Sequence, residues 1–323
     1  MTNNDDENIS LFYDLTPKQN RIVSGMGDIF DNGGEHKITY SHSTMCQTSL
    51  PFKASEAREW KNKNGNSVVL IEAGQVYDPK INDMVKLGLP YGTKPRLILL
   101  DWNRQAILTQ SPTIEVENTL YGFLKRLKLP TEGRVYSMAK KQLAALAACQ
   151  MSVGRTEADG SGTTGYGRIV NEMNVLFSKD VNQRVLWPNT VELSGEYFNS
   201  LMVHAVPLNE DALLLLKDSA LELDVYAMLA ERLHRIPYNK PQFIGWAQLH
   251  EQYGSGYKRI RRFRERFLEH LLNVKAAYHD ANIEEVTSSR GMPKGLKLYC
   301  SRPPVRKLMV QNTGLTVDKP VDS

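Results

Sequence analysis

Apolar residues at Ile260, Phe263, Phe267, Leu271 and Val274 recur at three- and four-residue intervals, so residues 255–276 are predicted as a helix with one core-facing stripe. On the same wheel Lys258, Arg262, Glu265 and Glu269 point away from that stripe, and Arg259, Arg261 and Arg266 flank them. Upstream, residues 219–236 carry a second helical period, which P-Y-N-K-P interrupts. A short helix is expected over 244–252, and Gly254 and Gly256 then turn the chain. Downstream, 283–287 and 296–300 read as two strands around the loop S-S-R-G-M-P-K-G. Helix, helix, basic helix, hairpin is the order of a winged helix-turn-helix, in which the third helix enters the major groove and the hairpin touches the backbone beside it.

The same order is expected in the first half. Residues 95–108 are apolar and periodic, with Pro95 suited to a first helical turn. A short alternating patch, 113–116, precedes an amphipathic stretch capped by Asn118 and closed by Pro130. A third helix is predicted over 134–150, with Met138, Leu143 and Leu146 for the core and Lys140 and Lys141 side by side. Strands are expected at 151–155 and 169–178, with 158–168 as a long wing tip between them. The expected fold class is therefore α+β, two tandem winged helix-turn-helix domains. Its divisions are an acidic, flexible leader (1–45), an N-terminal winged helix (46–208), a C-terminal DNA-binding winged helix (209–305) and a tail (306–323). The join is placed after a strand at 197–208, where a helical segment begins near Asn209.

Charge sharpens this picture. The net charge of +4 over 323 residues is modest, but it is unevenly spread. Residues 1–35 hold seven acids and two bases, whereas residues 254–276 hold seven bases and two acids. Cations crowded at a helix N-terminus oppose the helix dipole, which makes an external anion such as a phosphate backbone the expected partner. The loop 158–168 has no lysine in a G-x-x-x-x-G-K-[ST] pattern and is not read as a phosphate cradle.

Other chemistries find little support. Cys46, Cys149 and Cys300 form no C-x-x-C pair, and the seven histidines form neither H-x-H nor H-E-x-x-H. No G-x-S-x-G elbow or nucleotide fingerprint is present. The expectation is a protein without enzymatic activity, cofactor or metal. The start M-T-N-N-D-D-E-N is unlike a signal peptide, and no apolar run approaches the ~20 residues of a membrane span. A cytoplasmic bacterial location without membrane association is expected.

Residues 89–102, L-P-Y-G-T-K-P-R-L-I-L-L-D-W, resemble plasmid replication initiators of the RepA type. The segments L-P-F-K (50–53), R-E-W-K-N-K-N-G-N (58–66), L-I-E-A-G-Q-V (70–76), D-P-K-I (78–81), L-Y-G-F-L-K-R-L-K-L (120–129) and Y-K-R-I-R-R-F-R-E-R-F (257–267) fit as well. The resemblance spans roughly 49–302 and implies a non-enzymatic initiator of a broad-host-range plasmid. Such a protein binds directly repeated sequences, iterons, in double-stranded DNA at the plasmid origin. It helps open the duplex, recruits the host replication initiator and replicative helicase, takes part in copy control and regulates its own expression through a monomer–dimer equilibrium. The main DNA readout would fall to Lys258, Arg259, Arg261, Arg262 and Arg266, with Arg290 and Lys294 on the wing. Arg134, Lys140 and Lys141 would hold phosphates at the other end of the repeat. Two rival readings are a winged-helix transcriptional repressor with no direct role in initiation and a protein-interaction module whose basic helix meets an acidic partner.

Overall fold

The computed structural model describes residues 15–31, 37–65, 67–78, 81–116, 120–156, 161–177 and 186–305. The tail, the first fourteen residues, the Asn118 cap and part of the 158–168 loop lie outside these. The architecture is α+β, with all strand pairs antiparallel and two hydrophobic cores.

The first helix among the described residues corrects the expectation of a flexible leader over 17–31. α1 (Pro17–Asp31) is a regular helix with Ile22 fully buried, and it packs against helices near the other end of the chain. The acidic composition of 1–35 hid the Ile22 and Met26 pair, one turn apart, that seats α1 on the C-terminal core. β1 (Ile38–His42) and the short α2 (Ser43–Gln47) follow.

β2 (Glu59–Asn64) and β3 (Ser67–Glu72) form a hairpin, followed by the small ribbon of β4 (Gln75–Asp78) and β5 (Asp83–Lys86). Next come α3 (Thr93–Thr109), with Pro95 in its first turn as expected, β6 (Thr113–Glu115), α4 (Leu120–Arg126) and α5 (Gly133–Ala148). The strands after α5 differ from the sequence expectation. β7 (Gln150–Thr156) pairs with β8 (Gly162–Arg168), so most of the stretch read as a loose wing tip is a strand. Its glycines suggested a loop, but β8 is the last strand of the sheet β2-β3-β7-β8, and an edge position tolerates glycine. The hairpin that closes on β6 is instead β9 (Val170–Phe177) with β10 (Leu186–Leu193), in the order β6-β10-β9.

A second correction concerns 197–208. α6 (Gly195–His204) occupies most of it, because the Ser194 side chain accepts from the Tyr197 amide at 3.1 Å and Tyr197 and Leu201 bury one helical turn apart. Only β11 (Ala205–Asn209) is extended, paired with β1. α7 (Glu210–Leu215) is capped by Asn209, and α8 (Ala220–Arg232) by Ser219.

The C-terminal unit continues with β12 (Gln242–Gly245), α9 (Trp246–Tyr253), α10 (Ile260–Ala277), β13 (Ile283–Thr287) and β14 (Pro293–Leu298). Its sheet order is β12-β14-β13, the counterpart of β6-β10-β9 in the first unit. Each unit thus has the order helix, strand, helix, helix, with a later hairpin returning to the strand. In the first unit β7 and β8 are inserted before that hairpin.

The units are joined by buried polar chemistry. Arg96 on α3 meets Asp224 on α8 in a two-pronged pair, Nε–Oδ1 2.6 Å and Nη2–Oδ2 2.7 Å, with both side chains under a tenth exposed. Ser49 Oγ donates to the same carboxylate at 2.8 Å, and the Asn62 amide reaches the Gln252 carbonyl at 2.7 Å.

Candidate nucleic-acid interface

Five aromatic rings fix the angle between α9 and α10. Trp246 stands edge-on to Phe263 and Phe267 at 6.5 and 5.9 Å between centroids, Tyr253 lies 5.9 Å from Phe267, and Tyr257 lies 5.7 Å from Phe263. The linking turn is tied by the Tyr257 amide to Gly254 O at 2.8 Å and by His250 Nε2 to Tyr257 O at 2.8 Å. Gly254 is obligatory here: a Cβ would sit 2.4 Å from His250 Cδ2 and 2.6 Å from the His250 carbonyl oxygen.

On α10, Phe263, Phe267, Leu271 and Val274 are buried, as their spacing predicts. Ile260 is the exception at 45 % exposed, because it is the first helical residue and lies beyond the reach of the core. Lys258 and Arg259 precede the helix, and Arg259 occupies the cap position without any side-chain hydrogen bond to the first turn. No acidic residue stands in that turn. Lys258, Arg259, Arg261, Arg262 and Arg266 are all exposed. The start of α10 therefore presents uncapped amides and a fan of cations together, an arrangement that receives anions.

Two of these cations already have carboxylates: Arg261 Nε–Glu265 at 3.1 Å and Arg266 Nη1–Glu269 at 2.6 Å. Such exposed pairs are weak and yield readily to a stronger anion. Arg264 belongs to the same run and was passed over in the sequence, although it sits only 100° from Phe263 on the wheel. It is half-buried, and its Nε has no hydrogen-bond partner among the described residues.

Residues 288–292 form the tip of the β13–β14 hairpin. The tip closes through Ser288 N to Met292 O at 2.7 Å and Gly291 N to Ser288 O at 2.8 Å, with Gly291 at φ +72°. Arg290 and Met292 are exposed there, and Lys294 is exposed on β14. Gly295 lets β12 cross closely, since a Cβ would lie 2.1 Å from Ile244 O.

The back of α10 is anchored on a fully buried carboxylate. Glu222, in the first turn of α8, accepts from Lys18 Nζ at 2.7 Å to both oxygens, and from His270 Nδ1 at 2.8 Å and Asn273 Nδ2 at 2.7 Å to Oε1. Burial pushes the Glu222 carboxyl upward, and the hydrogen bonds from His270, Lys18 and Asn273 outweigh it, leaving it below the usual carboxylate value. His270 is thus a structural partner.

On the first unit's third helix, α5, Arg134 and Lys141 are exposed. Lys140 folds over the Tyr136 ring, 4.3 Å from its centroid, and partial burial lowers its pKa to about 8. No cluster of metal-binding side chains is found among the described residues, nor a helix long and apolar enough to cross a membrane.

Two α+β units, each built on three helices and a three-stranded sheet and the second exposing a cationic helix start, define the class. Residues 89–248 match the family model described as plasmid encoded RepA protein, so over that stretch the chain is similar to that family. That match supports a role in plasmid replication initiation. Among solved structures, the chain is similar to domains 2 and 3 of RctB, with a TM-score of 0.50 and 10 % identity over 80 % of this chain and 98 % of that one. A second structure of RctB domains 2–3 aligns with a TM-score of 0.47 and 9 % identity over 80 % and 97 % of the two chains. The former likeness extends to the fold. No curated protein matches the chain.

Proposed function

We propose that this protein is a plasmid replication initiator that binds iterons through two winged helix-turn-helix modules in tandem. In this reading α10 lies in the major groove, and Arg290 at the β13–β14 tip and Lys294 on β14 hold the adjacent backbone. Arg134, Lys140 and Lys141 on α5 serve the far end of the repeat, with Lys140 the weakest of them because it already stacks on Tyr136. The carrying observation is the uncapped, cationic start of α10, followed along the chain by a hairpin with exposed cations. α10 lies outside the segment matched to the family, so this support is independent of that match. Opening of the duplex, recruitment of the host initiator and replicative helicase, and autoregulation through a monomer–dimer equilibrium complete the proposal.

The test is footprinting on the origin of the protein's own replicon, with a salt titration. Protection of several equally spaced direct repeats is expected. With about six cations on phosphates, log K should fall against log salt with a slope of about −5. Protection of one inverted repeat over a promoter would make the protein a repressor instead, and an unprotected origin would sink both readings.

A further inference from the structure

The outward face of the second unit's sheet has no part in the duplex reading. Cross-strand pairing sets Phe243 on β12 opposite Lys297 on β14, and Lys297 opposite Glu284 on β13, so these three share one face. The alternate positions, Ile244, Leu296, Leu298 and Ile283, are buried against the helices. Phe243 is nevertheless 53 % exposed. The Lys297 ammonium lies 5.1 Å from the centroid of the Tyr299 ring, and the Tyr299 hydroxyl donates to Glu284 at 2.5 Å, which engages the carboxylate of this row. Just before β12, the turn closed by Lys240 N to Pro237 O at 3.0 Å displays Tyr238, 93 % exposed, next to the exposed Lys240.

Rings interleaved with lysines on an open sheet select among partners. A duplex offers base edges in its grooves and keeps its base faces stacked, so exposed ring faces have nothing there to stack on. A protein partner is disfavoured by the lysine between Phe243 and Tyr299, since the centres of protein interfaces are depleted of lysine. Unstacked bases satisfy both halves of the pattern: they stack on aromatic rings while lysines hold the intervening phosphates. We propose that this face is a second nucleic-acid site, specific for single strands, with bases on Phe243 and Tyr299 and phosphates on Lys297 and Lys240. None of these side chains belongs to α10 or to the 288–292 tip, and Lys294, three residues from Lys297 on β14, falls on the opposite face of the strand, so the site stands apart from the duplex surface. Its occupant is the kind of strand that an opened origin releases.

The test is fluorescence anisotropy of the full chain with a fluorescein-labelled oligothymidylate of about 16 nucleotides, run beside an origin duplex. Phe243→Ala should weaken oligothymidylate binding about tenfold, Phe243→Trp should retain it, and Lys297→Gln should lower the salt slope by about 0.7. Duplex affinity should be unchanged in all three, whereas Arg262→Ala should weaken the duplex and leave the oligothymidylate. The proposal is overturned if the wild type does not bind the oligothymidylate. It is equally overturned if Phe243→Ala and Lys297→Gln bind it as the wild type does, as they would on a face made for protein, or if the loss follows Arg262→Ala. Binding of the oligothymidylate with none of the origin duplex would sink the duplex reading and leave this one standing.

Discussion

Arg262 is the side chain at which sequence choice is best tested. It points outward from the first turn of α10, and among the described residues it forms no ion pair, whereas Arg261 and Arg266 each have a carboxylate one turn on. An arginine free of such ties can present both guanidinium prongs to a guanine edge, a contact worth about 1–3 kcal/mol of discrimination. Arg262→Ala should therefore relax preference at one base pair of the repeat while others keep theirs, as read by competition with single-base variants of the site. Equal weakening against every variant would show a phosphate contact instead. The apolar half of this helix was legible because burial follows a period: Phe263, Phe267, Leu271 and Val274 needed only their spacing. Ile260 and Arg264 were misjudged or missed because a wheel does not say where the core ends along the axis. The Glu222 hub was illegible for another reason. Lys18 lies 204 residues away in sequence, and nothing local to either residue signals the pair.

At the scale of elements, α1 is the least expected and the most consequential. It belongs to the first residues of the chain yet closes the core under α10, where Ile22 is buried and Gly25 meets Leu215 of α7 so closely that a Cβ would lie 2.7 Å from its Cδ2. Lys18 neutralises a carboxylate that has no exposed surface, and removing one partner of a buried pair leaves a charge without compensation. Lys18→Met should destabilise the protein by an amount near the lower end of about 3–5 kcal/mol, since Lys18 itself is partly exposed. The double variant with Glu222→Gln should recover much of this, because a neutral amide can still bond His270 and Asn273. Urea unfolding checks it, and a single variant within about 0.5 kcal/mol of the wild type would refute the role. The sign with pH follows from the lowered Glu222 value. Its contribution is present above the ordinary carboxylate range and is lost as pH falls through the folded-state value, so the gap between wild type and Lys18→Met should narrow in acid.

For the whole molecule, the repeated order of three helices and the C-terminal hairpin were readable from periodicity, and the hairpin of the first unit was not. Strand partners are chosen by long-range pairing, so β7 and β8 joined β3 and left β9 and β10 to close on β6. The same limit hid how firmly the units are joined. Reading two ends of one repeat requires α5 and α10 at a fixed separation, and Arg96 with Asp224 supplies a rigid link because its two prongs fix orientation as well as distance. Arg96 further donates to Leu50 O at 2.7 Å and Gly92 O at 2.6 Å, so its position is set by the first unit before it meets α8. Asp224→Ala leaves a guanidinium buried without its counter-ion, at a cost of about 3–5 kcal/mol, and that cost falls on the contact between units more than on either core. Calorimetry should therefore turn a single unfolding transition into two, the first unit separating from the second. Footprints should shrink to the half of each repeat that α10 covers. A variant that still melts in one step and protects the full repeat would show that contacts such as that of Asn62 with Gln252 hold the units together without the ion pair.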